Sequence, residues 1–191
     1  MVQSLKVKLW GEEIGRLAWD ARRRLSYFMY NPAFLKKGLN ISPLAAPVDG
    51  VGLMPVWGEE AKIYQKLPAF LADSLPDAWG NQLFELWRQQ NHLSNADITP
   101  LDKLSFIGKR GMGALEFLPE VSRERKAEKI DIKSLANLAR RIFSERENAG
   151  ILPEESVIMQ SLFTVGTSAG GRQPKVIVAI KYGVAEHWIG R

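Results

Sequence analysis

The hydrophobic period of this chain changes once along its length, and that change limits the fold more than any other feature. Residues 5–10, Leu-Lys-Val-Lys-Leu-Trp, alternate apolar and polar side chains, which is the period of a strand with one buried face. Gly11-Glu12-Glu13 breaks the pattern, residues 14–19 resume it, Arg22, Arg23 and Arg24 break it again, and residues 25–30 form a third run. Three short alternating runs with polar breaks predict a meander of antiparallel strands. Within it, Gly15 marks a bulge or a close approach of two backbones. Asn31-Pro32 closes the meander, and residues 34–38 read as a short turn with a glycine stop. A further strand is expected at residues 40–44, before a loop rich in Pro, Gly and Ala at residues 45–55.

From Leu67 onward the period is helical. Pro68 suits the first position of a helix whose one face carries Phe70, Leu71 and Leu75. Asp77 reads as the N-cap of the next helix, with Trp79, Leu83, Leu86 and Trp87 along one stripe. Such a stripe is core packing before it is a ligand site. Thr99-Pro100-Leu101-Asp102 combines a cap, a first-turn proline and an acid three residues on, and Gly108 supplies the stop. A strand is expected at residues 114–118, then a polar linker at 119–129. A helix capped by Asp131 follows, with Leu135, Leu138, Ala139, Ile142 and Phe143 apolar, and then a helical piece at 154–162. The chain closes on a strand at 163–165, a glycine-rich loop, a strand at 175–181, a turn at Tyr182-Gly183 and a short strand at 186–189. The fold class is therefore α+β: an N-terminal antiparallel meander packed with several helices, then a β-hairpin carrying the glycine-rich loop. A domain division is expected in the linker, giving residues 1–120 and 121–191.

Composition narrows the chemistry. A chain of 191 residues buries roughly 70% of its extended surface, enough for a real core. It has no cysteine, which excludes disulfides, thiolate zinc sites and a cysteine nucleophile, and suits a reducing, cytoplasmic setting. No apolar run approaches the ~20 residues of a membrane span, and the first ten residues lack the block of a signal peptide. The net charge of +5 is uneven: residues 1–37 hold eight Lys/Arg against three acids, and residues 38–119 hold six against nine. The arginine run at 22–24 can meet phosphate or an acidic partner, or simply be a solvated turn. That bias alone does not make a nucleic-acid binder, so no direct contact with nucleic acid is expected, and binding through the basic N-terminal segment is kept as a third reading. His92 and His187 are far apart in sequence, and His92 reads as a surface residue. Asp73 and Asp77 could lie near each other, but helix capping explains Asp77 better than acid–base work, and Trp57 is a candidate contact residue.

The segment with chemical content is Gly166-Thr167-Ser168-Ala169-Gly170-Gly171-Arg172-Gln173-Pro174-Lys175. Three glycines free the backbone to aim several N–H groups at one anion. Thr167 and Ser168 add hydroxyls; Arg172 and Lys175 add positive charge. A kinase covers nucleotide phosphates with a loop of this content between two strands. The pattern is neither a Walker A motif nor GxGxxG, and an ordinary glycine-containing hairpin has the same features.

Three segments together resemble the HipA family of toxin kinases. They are residues 70–80 (FLADSLPDAWG), residues 100–115 (PLDKL through GKRGMGAL), and the glycine-rich segment at 166–175. Their order and spacing match over roughly residues 5–181. The resemblance implies that residues 1–120 form the family's N-terminal subdomain and 121–191 the linker helices and beginning of the kinase small lobe. It implies a serine/threonine protein kinase using ATP and Mg²⁺ that acts as the toxin of a bacterial toxin–antitoxin pair. Its protein substrate would be a translation component such as an aminoacyl-tRNA synthetase, and a HipB-like DNA-binding antitoxin would restrain it. By the same resemblance Gly166, Thr167, Ser168, Ala169, Gly170, Gly171 and Lys175 form the nucleotide-phosphate loop, and Ser168 is the autophosphorylation position. The family's catalytic base and metal ligands fall after residue 191, so the chain alone is expected to bind no nucleotide tightly and to transfer no phosphate. A shortened family member that docks on a separate kinase lobe or antitoxin is the alternative reading.

Overall fold

The computed structural model describes residues 2–44, 46–48, 54–55, 59–121, 131–145, 155–165, 173–175, 179–180 and 187–188. The chain divides into two units, Met1–Leu75 with Ser94–Val121, and Pro76–Leu93 with Ser122–Arg191.

The first unit is built on the expected meander: β1 (Ser4–Leu9), β2 (Glu12–Asp20) and β3 (Leu25–Tyr30), followed by a short helix α1 (Pro32–Leu35). Two-residue β4 (Met54–Pro55) lies on the far side of β3 and β5 (Leu115–Leu118) on the far side of β1, so the antiparallel order is β4-β3-β2-β1-β5. Val7 pairs with Gly15 but Lys8 pairs with Glu13. Ile14 is therefore an extra residue, and the bulge falls beside the glycine that marked it in the sequence. A methyl group on Gly15 would lie 2.6 Å from the Phe28 ring and press on the Met29 carbonyl. Only a residue without Cβ lets β2 and β3 approach this closely.

Alternation sends Leu5, Val7, Ile14, Leu17, Phe28 and Phe117 to one face, where all are at most 1% exposed. Phe28 meets Tyr30 and Phe70 edge-on at 4.9 and 5.2 Å, a favoured aromatic geometry. That face packs with Phe34 of α1, Leu71 of α3 (Ala69–Ala72), and Leu101 and Leu104 of α5 (Pro100–Ile107). A further short helix, α2 (Glu60–Ile63), precedes α3. The strand expected at residues 40–44 does not form. Pro43 offers no ladder donor, and the chain turns instead, with the Ala46 N–H on the Ser42 carbonyl at 2.9 Å. This turn delivers Ala46 to the core, where its carbonyl accepts the Tyr30 hydroxyl at 2.8 Å.

The start of α5 has the predicted chemistry. One Asp102 oxygen accepts the Thr99 N–H at 2.8 Å and the Thr99 hydroxyl at 2.7 Å, and the other accepts the Val2 N–H at 2.7 Å. The cap thereby also ties the N-terminal segment to the helix. Gly108 ends α5 at φ +58, and a Cβ there would fall 2.7 Å from Glu120 Oε1. That space belongs to an ion pair: Arg110 Nε meets Glu120 Oε1 at 3.1 Å, and the guanidinium lies over the Phe106 ring at 5.1 Å. Burial pushes Arg110 below its ordinary pKa while Glu120 opposes the shift.

The second unit holds α4 (Ala78–Gln90), α6 (Ile132–Glu145), α7 (Ser156–Val165) and a two-stranded hairpin, β6 (Ala179–Ile180) with β7 (His187–Trp188). Asp77 caps α4 by accepting the Gly80 N–H at 2.7 Å. The stripe below it buries Trp79, Leu83, Phe84 and Leu86. Asp131 caps α6 through the N–H groups of Lys133 and Ser134 at 3.0 and 3.2 Å. Arg141 on α6 reaches Glu155 just before α7 at 3.1 Å, and Gln82 on α4 donates to the Ile142 carbonyl at 2.6 Å.

Residues 163–165 are the last turn of α7 and not the expected strand. Met159, Leu162 and Phe163 are buried at helical spacing, and the Thr164 hydroxyl bonds back to the Gln160 carbonyl at 3.0 Å. Burial of that face overrides the strand preference of a Phe-Thr-Val run. No described helix is long and apolar enough to cross a membrane.

Candidate phosphate-binding loop

Gly166, Thr167, Ser168, Ala169, Gly170 and Gly171 lie outside the described residues, as does Arg172; the structure describes the two ends of the segment. Its entry is the C-terminus of α7 at Val165. A helix C-terminus carries partial negative charge, so α7 itself offers nothing to an anion. Any phosphate affinity must come from the loop's own N–H groups and from the cations that follow.

The exit is Gln173-Pro174-Lys175, with Pro174 and Lys175 half-buried. The Lys175 backbone is held from 96 residues away: its carbonyl accepts the indole N–H of Trp79 at 3.1 Å. Trp79 is completely buried, so the donor is fixed by packing in the first turn of α4. In this way a core residue becomes a support for the one described residue of the phosphate-loop set. Sequence reading assigned Trp79 to the core and missed this bond.

The same helical turn holds an unusual acceptor. While Asp77 Oδ1 caps Gly80, its Oδ2 is buried and, among the described residues, has no hydrogen-bond partner. An unmatched buried acceptor is costly and favours any donor that reaches it.

The other sequence candidates find simpler roles. Asp73 closes α3 through its backbone N–H, and Asp77 caps α4. His92 is exposed in the turn after α4; His187 lies in β7. Trp57 is outside the described residues. Among the described residues no group of three His, Asp or Glu could hold a metal. In the first unit a shallow cleft of about 240 Å³ lies along Glu13, Gly15, Arg16, Met29, Tyr30, Asn31 and Pro32. Its charged groups, Arg16 and Glu13, neutralise each other at 3.3 Å, and its size is below the usual ~300–1,000 Å³ of ligand pockets.

Comparison with known proteins adds two findings. Residues 5–118 match the family model of the HipA N-terminal domain. The fold is similar to that of HipA from Shewanella oneidensis MR-1, solved as a toxin–antitoxin complex with HipB and its operator DNA. The TM-score is 0.52 at 22% identity, covering 98% of this chain and 38% of that one. The chain thus spans 38% of the length of the HipA chain it resembles. No curated protein sequence matches significantly.

Proposed function

Because the chain belongs to the HipA N-terminal domain family, we propose that it is the amino-terminal portion of a HipA-like serine/threonine protein kinase, the cytoplasmic toxin of a toxin–antitoxin pair. The observation that carries this reading is the family match over residues 5–118, with the three motif segments in family order behind it. In this account residues 1–120, which take in nearly all of the first unit and also α4, are the N-terminal subdomain. Residues 121–191 lead into the kinase small lobe and present the glycine-rich loop to ATP. Gly166, Thr167, Ser168, Ala169, Gly170, Gly171 and Lys175 would contact its phosphates, with Mg²⁺ supplied in the complete enzyme. The indole of Trp79 on the Lys175 carbonyl supports this role, because a lysine serving phosphate needs a fixed backbone. The catalytic base and the metal ligands come from outside this chain, and Ser168 takes the regulatory phosphate. A phosphoserine adds about −1.5 to −2 charge, which would expel the loop from a site already filled by triphosphate. A HipB-like antitoxin is the proposed partner and an aminoacyl-tRNA synthetase the proposed substrate class.

The test is phosphoryl transfer from γ-labelled MgATP, by the 191-residue chain and by the product of its complete reading frame. The proposal expects label transfer only from the latter. Transfer by the 191-residue chain alone would refute the division of labour, and transfer by neither would refute the kinase reading.

One observation favours a second reading, a free-standing docking module: the first unit has its own core around Phe28, Phe34 and Phe117. A stop codon directly after codon 191, with a separate kinase gene beside it, would select that reading.

A further inference from the structure

Several of the described cations are neutralised in place. Lys6 and Arg16 share Glu13, Lys37 meets Glu12, Lys62 meets Glu59, Arg88 meets Glu85 and Arg110 meets Glu120. The β2–β3 turn concentrates three arginines in one place. Arg22, Arg23 and Arg24 are exposed in succession there, and the nearby acid is largely committed. Asp20 Oδ1 accepts the N–H groups of Arg22 and Arg23 at 2.9 and 3.0 Å, and its other oxygen lies 4.0 Å from the Arg23 guanidinium. Arg23 also donates to the Tyr27 hydroxyl at 3.0 Å. Arg22 and Arg24 have no ion-pair partner among the described residues, although adjacent like charges repel.

A fourth cation is held against the same end of the sheet. The Ser26 N–H donates to the Lys66 carbonyl at 3.3 Å, and the Ser26 hydroxyl donates to it as well. Gln65 and Lys66 adopt φ +50 and +67, and Arg24 adopts φ +53. Left-handed backbone costs a non-glycine residue roughly 1–2 kcal/mol and gathers where function requires it. Three such residues fix a corner whose side chains are Arg22, Arg24 and half-buried Lys66, with no ion-pair partner for any of them among the described residues.

We propose that this corner, Arg22, Arg24 and Lys66, binds the phosphate backbone of duplex nucleic acid, in place of the expectation that the chain touches none. The inference is independent of the kinase reading. A protein interface needs an apolar or aromatic centre, and residues 21–24 and 65–66 offer no apolar side chain larger than alanine. Phosphates need only charge and donors, and the arginine fork matches phosphate oxygens two at a time. Such contacts position a protein on a duplex and read no bases.

The experiment is fluorescence anisotropy of a labelled random-sequence DNA duplex with the full chain, at salt from about 50 to 200 mM. Each phosphate contact contributes about −0.9 to the slope of log K against log salt. The triple variant Arg22→Gln, Arg24→Gln, Lys66→Gln should therefore flatten the slope by about 2.7 and weaken binding at least tenfold. A control triple, Lys36→Gln, Lys133→Gln, Arg140→Gln, removes equal charge elsewhere and should leave most of the slope; circular dichroism checks that both are folded. Equal loss in the two triples, no binding by the wild type, or equal competition by polyglutamate would each overturn the proposal.

Discussion

Asp102→Ala strips three donors of their acceptor at once: the Thr99 N–H, the Thr99 hydroxyl and the Val2 N–H. Asp102 is 6% exposed and Thr99 7%, so water replaces the carboxylate poorly at the helix start. Hydrogen bonds to charged groups are worth about 1.5–3 kcal/mol, and an unsatisfied buried donor costs about 1–3. The two Thr99 bonds taken at the low end, with a smaller share for half-exposed Val2, put the loss near 4 kcal/mol. For a chain of this size that is a fall in Tm of about 8–16 °C. Asp102→Asn keeps one acceptor oxygen but no charge, and should lose about half as much. The assay is urea unfolding followed by circular dichroism, with midpoints compared at unchanged slope. Hydrogen exchange should show α5 opening first. A loss under about 1 kcal/mol in the alanine variant, or equal losses in both, would refute the reasoning.

Other outcomes follow from the same structure. Gly15→Ala must push the Phe28 ring and the Met29 carbonyl away, and is expected to cost about 2–3 kcal/mol by overpacking, read as a lowered urea midpoint. Trp79→Phe keeps an aromatic ring but loses the donor to Lys175 and leaves a void where the fused pyrrole was buried; it should cost about 2–3 kcal/mol and raise exchange and protease cleavage around residues 173–175 while leaving the first unit unchanged. Asp131 is held below the ordinary carboxylate range, chiefly by the Ser134 hydroxyl and then by the Lys133 N–H. A depressed carboxyl stabilises above its unfolded pKa, about 3.9, and that contribution fades as pH falls through the lower folded value. Helix signal from α6 should therefore survive mild acid in the wild type and be weaker, without that acid transition, in Asp131→Asn.

What the sequence makes legible is what local chemistry decides. The alternating runs of β1 to β3, the bulge beside Gly15 and the caps at Asp77, Thr99 and Asp131 each depend on residues within a few positions. The errors occur where a distant demand prevails. Residues 40–44 look like a strand until Ala46 must reach the Tyr30 hydroxyl. Phe163-Thr164-Val165 look like a strand until Phe163 is buried with Met159 and Leu162. Helix α2 is too short to leave a periodic trace. No period could pair Trp79 with Lys175, because hydrogen bonding across 96 residues leaves no mark in either neighbourhood. Nor does the stripe of α4 say which unit it joins, since an apolar face records that it is covered but not by what. The glycine-rich loop rests on sequence alone, as a resemblance and as a set of phosphate-compatible residues.

The central claim is that this segment is the phosphate loop of a HipA-like kinase, and phosphate mapping tests it most directly. The product of the complete reading frame is incubated with MgATP, digested and sequenced by mass spectrometry. The account predicts a phosphate on Ser168, lost in Ser168→Ala and reduced in Trp79→Phe. A folded, ATP-exposed protein with no phosphate anywhere in residues 166–175 would contradict it.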